Sequence, residues 1–240
     1  MLLQSKASAF RSLHEPGSPL ILFNAWDAGS AQAVGKAGAL AIATGSWSVA
    51  AANGFADGEQ ISRELVIDML RRIAISTDLP VTVDLESGFG NEVKVVAETI
   101  HLSIEAGAIG CNLEDSVPAN GSLREVDEAA ARINAARRAA DEDLPGYFIN
   151  ARTDVFFRGP ATENNADLLG EALARARAYA EAGANGLFAP GLSDAGLNGE
   201  LAAASPLRPN IMRLGATPWI QELADAGVAA RPDVLLDLPE

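Results

Sequence analysis

The chain has 240 residues, a formal net charge of −14, 48% apolar residues and 21% charged residues. The apolar fraction is too high for a disordered tail, and the acidic balance excludes partners that need a basic face, namely nucleic acids and anionic membranes. Because Cys111 is the single cysteine, the sequence has neither a disulfide framework nor a cysteine zinc site, and we expect a reducing, cytoplasmic compartment.

Short apolar runs alternate with amphipathic stretches along the chain. The runs predict β-strands and the stretches predict helices, an alternation that is typical of a parallel sheet. Three helical stretches end in Ala-Gly-Ala, at Gly38, Gly107 and Gly183, where a glycine suits a left-handed helix cap before the next strand. The predicted strands are 20–23, 40–44, 81–85, 109–113, 147–151, 186–189 and 209–212, with an eighth expected near 228–236.

Seven or eight such units without an intervening linker predict a single domain over residues 1–240, an α/β fold of the (β/α)8 TIM-barrel type. An open dinucleotide-binding sheet is disfavoured, because residues 24–30 do not form its glycine-rich phosphate turn. The chain after residue 228 is short and contains two prolines, so we expect an atypical or truncated eighth strand and C-terminal helix. An open barrel would expose strand edges, which predicts a homo-oligomer, either a dimer or a tetramer.

Acidic residues stand at the ends of the third and fourth predicted strands. Asp84 and Glu86 are two apart and should share a face, and Glu114 should lie beside them on the next strand. Three carboxylates in one place repel each other unless a cation lies among them, and an oxygen-only ligand set suits Mg²⁺ or Mn²⁺. Asp57, on a loop of small residues, could reach the water shell of such an ion. The alternative is that these acids cap helices or face solvent in loops.

Other strand ends offer groups for an anionic ligand. Arg152 is either a structural ion pair or a clamp for a carboxylate or phosphonate, and both alternatives stay open. The loop of Gly45, Ser46 and Trp47 could offer backbone N–H groups to a carboxylate or an oxyanion, or be an ordinary tight loop. Asn210 is a possible polar contact from the seventh strand.

The strand ends lack the residue types of several other mechanisms. No lysine and no histidine stands at a predicted strand end, which disfavours Schiff-base chemistry and a histidine zinc site. What remains is metal-assisted electrophilic catalysis. A cation bridging the carboxylate and carbonyl of a 2-oxo acid would stabilise an enolate, and Arg152 would hold an anionic group.

Four segments together resemble the isocitrate lyase/phosphoenolpyruvate mutase superfamily, in order and over nearly the whole chain. They are Asn-Ala-Trp-Asp-Ala-Gly-Ser-Ala from residue 24, Asp-Leu-Glu-Ser-Gly-Phe-Gly from residue 84, Asn-Leu-Glu-Asp-Ser from residue 112 and Asn-Ala-Arg-Thr-Asp from residue 150. The resemblance implies a (β/α)8 barrel that binds Mg²⁺ and small 2-oxo or 2-hydroxy acids. It also implies cleavage or rearrangement of C–C or P–C bonds through a pyruvate-enolate-like intermediate.

The resemblance also implies roles for individual positions. The implied metal ligands are Asp84 directly and, through water, Glu86, Glu114 and Asp57. The implied substrate contacts are Gly45, Ser46, Trp47, Arg152 and Asn210. Arg152, Ser46 and Glu114 are the catalytic candidates, with water or Ser46 left open as the general acid.

The loop after the fourth strand departs from the family pattern. The lyases carry Lys-x-Cys-Gly-His there and the phosphonomutases carry a lysine and an asparagine, whereas residues 116–124 contain neither cysteine nor lysine. We predict a Mg²⁺-dependent lyase that lacks the cysteine loop and cleaves a C–C bond of a small 2-oxo or 2-hydroxy (di)carboxylic acid. The alternatives are a phosphonopyruvate-type P–C mutase or hydrolase and a non-catalytic 2-oxo-acid-binding protein.

Overall fold

The structure is a computed structural model that describes residues 2–160, 163–212 and 220–233. Eight strands form a closed barrel in chain order, each parallel to the next, and the last strand pairs with the first. The predicted α/β barrel of parallel strands is therefore confirmed. The strands are β1 (Leu20–Ala25), β2 (Ile42–Thr44), β3 (Val81–Asp84), β4 (Gly110–Glu114), β5 (Phe148–Arg152), β6 (Gly186–Phe188), β7 (Arg208–Asn210) and β8 (Ala230–Asp233).

Helices cover the outside of the barrel, and several begin at a polar cap. The Asp27 carboxylate accepts a hydrogen bond of 2.6 Å from the Ser30 N–H at the start of the second helix, and Ser62 caps the fourth. The helices of the described residues are α1 (Leu3–Ser12), α2 (Ala28–Lys36), α3 (Ser46–Ala52), α4 (Arg63–Ile75), α5 (Val93–Glu105), α6 (Val126–Asp143), α7 (Ala166–Glu181), α8 (Ala195–Ala204) and α9 (Ile220–Asp225).

The predicted glycine caps have the expected backbone conformation. Gly38, Gly107 and Gly183 have φ angles of 97°, 106° and 100°, in the left-handed region that favours glycine. A Cβ atom at Gly183 would also lie 2.5 Å from Cγ of Arg137, so the close approach of α6 to the end of α7 disfavours a side chain there.

Alternation along the strands separates a polar barrel interior from an apolar helix-facing layer. Thr82 and Asp84 of β3 line a cavity inside the barrel mouth, whereas Val81 and Val83 belong to the buried apolar core. Cys111 on β4 is buried, and burial raises the pKa of its thiol to about 12, as expected for a core cysteine. The strand register therefore delivers polar groups to one end of the barrel.

The structure corrects two expectations about the last strands. β7 begins one residue earlier than predicted and ends at Asn210. β8 covers Ala230–Asp233, within the predicted 228–236; residues 234–240, where we expected an atypical tail, lie outside the described residues. Because β8 completes the ring, the open-edge argument for a homo-oligomer no longer holds, and oligomerisation and the single-domain span of 1–240 stay predictions.

The helices in the described ranges are too short or too polar to cross a membrane.

Candidate active site

A cavity of about 230 Å³ opens at the carboxyl ends of the barrel strands. Loops and strand ends from distant parts of the chain line it, as expected for a (β/α)8 barrel. Seven of the nine predicted site residues line this cavity: Gly45, Ser46, Trp47, Asp57, Asp84, Arg152 and Asn210. Glu86 and Glu114 do not line the cavity, and each is held by its own set of neighbours.

Asp84 is the last residue of β3, and backbone groups fix its carboxylate. Its own N–H donates to Oγ1 of Thr44 at 3.0 Å. Its Oδ2 accepts from the Ser46 N–H at 3.3 Å, and its Oδ1 accepts from the Glu86 N–H at 3.2 Å. Burial raises the pKa of Asp84, although Arg152 and the two N–H donors act in the opposite direction. The carboxylate is thus positioned in the cavity wall without a full countercharge.

Glu86 lies beyond the strand, so strand parity does not set the direction of its side chain. β3 ends at Asp84, and Glu86 has a left-handed φ of 49°. Its Oε2 accepts a hydrogen bond of 2.6 Å from the N–H of Glu59. Burial and the charge of Asp84 raise the pKa of Glu86 to about 8. Glu86 therefore favours its protonated form at neutral pH unless a cation lies nearby.

Glu59 organises the segment 85–91, called the β3 loop from here on. One of its carboxylate oxygens, Oε1, accepts from Oγ of Ser87 at 2.7 Å and from the N–H of Phe89 at 2.9 Å. Glu59 and Phe89 also have left-handed φ angles, 58° and 61°. Non-glycine residues seldom adopt this conformation, so three of them around one loop indicate a backbone held in place by its contacts.

Arg132, a buried residue of α6, holds the β3 loop from the other side. Its guanidinium donates to the carbonyl oxygen of Ser87, to that of Gly90 at 2.6 Å and to that of Asn91 at 2.7 Å. Burial lowers the pKa of Arg132 to about 10, which still leaves it charged at neutral pH. Glu59 and Arg132 together fix the loop that carries Glu86.

Arg152, at the end of β5, lies between two carboxylates. Its Nη1 is 3.0 Å from Oε2 of Glu114, and its Nε and Nη2 donate to the two carboxylate oxygens of Asp154 at 2.6 and 3.2 Å. Burial opposes the charged form, but Glu114 and Asp154 outweigh it and raise the pKa of Arg152. The guanidinium also lies 5.6 Å from the ring centre of Phe157. Arg152 therefore forms the structural ion pairs that were one of its two predicted roles. Because it also lines the cavity, its second predicted role as a clamp for an anion stays open.

Glu114 lies beside the acids of β3, as predicted, with its N–H donating to the carbonyl of Glu86 at 2.8 Å, and its side chain also pairs with Arg152. Its Oε1 accepts a hydrogen bond from Oγ of Ser116, and its Oε2 contacts Arg152. Burial raises the pKa of Glu114 to about 7, with Arg152 opposing the shift. A carboxyl with this pKa can exchange a proton near neutral pH.

Asp115, the neighbour of Glu114, points away from the barrel mouth and towards α7. Its Oδ2 accepts from the hydroxyl of Tyr179 at 2.7 Å and lies 3.1 Å from Nη1 of Arg175. Its Oδ1 accepts from the N–H of Asp154 at 3.0 Å. Asp115 therefore ties α7 to the residue that positions Arg152.

The remaining predicted contacts come from the second and seventh strands. Gly45 precedes α3, and a Cβ atom there would lie 2.7 Å from Nδ2 of Asn24, so a larger residue would require the Asn24 amide to move. Trp47 is 43% exposed at the cavity mouth, and Asp57 is also exposed. Asn210 is buried, and its Oδ1 has no hydrogen-bond partner among the residues that the structure describes.

The carboxylates at the barrel mouth are possible ligands of a divalent cation. Within the described residues, no group of three or more His, Cys, Asp or Glu side chains is close enough together to hold a metal ion directly. Asp84 and Asp57 line the cavity, and burial raises the pKa of Asp84, Glu86 and Glu114, so a nearby cation would favour their charged forms. Carboxylate oxygens with room for water suit Mg²⁺, and such an ion would take Asp84 as its direct ligand and the other acids through water, as the family resemblance implies.

Several site residues escaped prediction from the sequence. Asp154 belonged to a recognised motif without an assigned role, while Glu59 and Arg132 lie outside the recognised motifs. The contacts of Glu59 and Arg132 join residues 27 to 45 positions apart, and no local pattern marks such pairs. Asn24 and Asn112 could have been found, since they stand in strand-end motifs and line the cavity.

Comparison with known proteins places this geometry in a family context. A family model described as phosphoenolpyruvate phosphomutase matches residues 10–230. The chain is 34% identical to the 2-methylisocitrate lyase of Escherichia coli K12 over 241 positions, covering 95% of this chain and 78% of that protein. It is 62% identical to a candidate phosphonomutase of Burkholderia cenocepacia J2315 whose crystal structure superposes with a TM-score of 0.93, covering 96% and 93% of the two chains. A candidate lyase or mutase from the same organism is 36% identical, with a TM-score of 0.86 and coverage of 97% and 82%.

Proposed function

The chain belongs to the isocitrate lyase/phosphoenolpyruvate mutase superfamily, and on this premise we propose that it is a Mg²⁺-dependent carbon–carbon lyase. Its substrate would be a small 2-oxo or 2-hydroxy (di)carboxylic acid, and the intermediate a pyruvate-type enolate. The observation that carries the proposal is the convergence of Asp84, the Ser46 backbone and Arg152 on one cavity of about 230 Å³. A small acid fits such a space, whose wall contains a carboxylate suited to bind a metal ion, Asp84, and a cationic side chain, Arg152.

Bound Mg²⁺ would polarise the substrate carbonyl and stabilise negative charge on the enolate oxygen. The chain's own residues would do the rest. Arg152 would hold an anionic group of the substrate against Phe157 and Phe188, whose rings flank its guanidinium at 5.6 and 5.8 Å. The Gly45–Trp47 segment would orient the pyruvyl end and shield it from water.

Decarboxylation of an oxaloacetate-like acid illustrates the bond changes. The bond between C3 and C4 breaks, CO₂ leaves, and the electron pair forms the enolate of a 2-oxo acid, which then takes a proton at C3. Glu114, whose pKa is raised to about 7, does not line the cavity, so it would move that proton through a bridging water. Ser46 or water is the alternative donor, and a retro-aldol step would use the same groups on a 2-hydroxy acid.

The first test is calorimetric titration with oxalate, a planar mimic of the enolate, with and without Mg²⁺. We expect binding that needs Mg²⁺ and that weakens about 100-fold or more in Asp84→Asn, because one charged ligand is lost. Asp127→Asn, in the exposed first turn of α6, is the matched control and should bind as wild type. Metal-independent oxalate binding, or equal binding by Asp84→Asn, would overturn the proposal.

One observation favours a second candidate function. The 62% identical protein from Burkholderia cenocepacia is a candidate phosphonomutase, so P–C bond chemistry on a phosphonopyruvate-type substrate is the alternative. The absence of a lysine in the loop 116–124 argues against it. Incubation with phosphonopyruvate separates the two, because release of phosphate or formation of phosphoenolpyruvate would identify P–C chemistry. Oxalate binding without turnover of any 2-oxo acid would instead support a non-catalytic binding protein.

We also propose a cytoplasmic location and a homo-oligomeric state, dimer or tetramer. The acidic composition and the single buried cysteine support the first. Light scattering coupled to size exclusion tests the second, and a monomer at micromolar concentration would contradict it.

A further inference from the structure

A second, more open space adjoins the cavity. This outer groove has a volume of about 550 Å³ and is lined by Ser116, Asn120, Gly121, Ser122, Arg152, Asp154, Phe157 and Arg158. Arg152 and Phe157 line both spaces. A ligand whose reacting end lies in the cavity can therefore extend into the groove past these two side chains.

The wall of the groove is formed by the loop that departs from the family pattern. Its backbone closes on itself, since the Val117 N–H donates to the carbonyl of Ser122 at 2.8 Å and Ser116 forms an antiparallel bridge with Leu123. Oδ1 of Asn120 accepts from the N–H and the hydroxyl of Ser122 at 3.0 and 2.8 Å. The wall is thus ordered by its own hydrogen bonds, and the side-chain NH₂ of Asn120 is left to donate to another group.

The two arginines of the groove differ in their partners. Arg152 is engaged by Glu114 and Asp154. Arg158 is exposed, and within the described residues it has neither a hydrogen bond nor an ion pair. An unpaired arginine beside a free amide donor at this place is suited to bind an anion.

We propose that the outer groove is a subsite for the distal carboxylate of the substrate, bound by Arg158 with help from the amide of Asn120. This inference rests on the proposed function and narrows its substrate class to 2-oxo dicarboxylic acids. Phe157, which is 49% exposed between cavity and groove, covers the carbon chain that joins the two ends. Arg158 is a specificity-determining residue in this scheme and takes no part in bond cleavage.

A matched pair of ligands tests the subsite. 2-Oxoglutarate and 2-oxovalerate have the same carbon chain and differ in the distal carboxylate, and both can be titrated calorimetrically in the presence of Mg²⁺. We expect wild type to bind the diacid about tenfold more tightly, the effect of roughly one charge-assisted hydrogen bond. Arg158→Gln should reduce this preference to less than about twofold, and Asn120→Asp, which adds a negative charge to the groove, should also reduce it. Arg138→Gln, at an exposed arginine of α6, is the matched control and should keep the preference.

Oxalate separates failure of the subsite from failure of the proposed function. It has no distal group, so Arg158→Gln should bind it within about twofold of wild type. If wild type binds oxalate but shows no preference for the diacid, or if Arg158→Gln keeps that preference, the subsite is refuted and the proposed function stands. If wild type does not bind oxalate with Mg²⁺, both are refuted together.

Discussion

The β3 loop and the outer groove lie on two sides of the same barrel mouth, and they are built in opposite ways. In the β3 loop, Glu59 and Arg132 hold the backbone from two directions through five hydrogen bonds. In the outer groove, Phe157 and Arg158 are exposed, and Arg158 has no partner among the described residues. The difference indicates that groups next to the reacting atoms must be fixed, while groups that select the far end of a substrate can stay open to solvent.

The backbone of the fixed side supports this distinction. Left-handed conformations at Glu59, Glu86 and Phe89 each cost about 1 kcal/mol or more relative to an extended or helical residue. Such a loop persists because its contacts offset that strain. No non-glycine residue in the described part of the outer groove has a positive φ.

The largest effect is expected at Arg152, which lines both the cavity and the outer groove. Arg152→Gln would leave Glu114 and Asp154 without their common cation, and we expect the free energy of unfolding to fall by about 3–5 kcal/mol. Urea denaturation in EDTA measures this change. The double variant Glu114→Gln/Arg152→Gln should recover part of the lost stability without recovering oxalate binding. A single variant as stable as wild type would show that the ion pairs contribute little.

A smaller effect should distinguish the fixed side from the open side. Glu59→Ala removes the acceptor for Ser87 and Phe89, and we expect it to lower the free energy of unfolding by about 2 kcal/mol and to weaken Mg²⁺-dependent oxalate binding. Glu59→Gln keeps an acceptor oxygen and should restore most of both properties. Asn120→Ala in the outer groove is the comparison, with a change below about 1 kcal/mol. If Glu59→Ala and Asn120→Ala lowered the free energy of unfolding equally, the β3 loop would not be more rigidly held than the outer groove.

A third test is a pH dependence that belongs to the β3 loop. The pKa of Glu86 is about 8 in the folded protein, against a reference value of 4.5, so the folded state binds its proton more tightly than the unfolded chain. The contribution of Glu86 to the free energy of unfolding is fully present below the reference pKa and is lost as the pH rises through about 8. Between these two pKa values the free energy of unfolding falls by at most about 1.4 kcal/mol per pH unit. Thermal unfolding in EDTA between pH 5 and pH 9 should show this loss in wild type and a weaker one in Glu86→Gln. Identical pH profiles would mean that Glu86 ionises normally.

Much of this architecture could be predicted because it follows short-range patterns. Glycines at the helix ends marked the boundaries of the βα units, and their left-handed φ angles are present in the fold. Strand parity correctly placed Asp84 inside the barrel, and most of the predicted site residues share one cavity. These features depend on residues two to four positions apart, which a sequence displays directly.

The rest could not be predicted because it depends on where a strand stops and on distant partners. Parity extended past Asp84 suggested that Glu86 shares its face, but β3 ends at Asp84 and the left-handed turn directs the carboxylate of Glu86 to the Glu59 N–H. Glu114 lies beside the acids of β3 as expected, since its N–H donates to the carbonyl of Glu86 at 2.8 Å, but its ion pair with Arg152 on the adjoining β5, at 3.0 Å, was left open. Such a pair depends on side-chain charges across neighbouring strands, which have no sequence period.

The pairing of β1 with β8 has a consequence for the order in which the protein can be assembled. Leu20, near the N-terminus, is in register with Ala230, close to the other end of the chain. During synthesis one edge of β1 therefore stays unpaired until β8 has left the ribosome. The ring closes as a late event, and until then the nascent chain displays an open strand edge that a chaperone can shield.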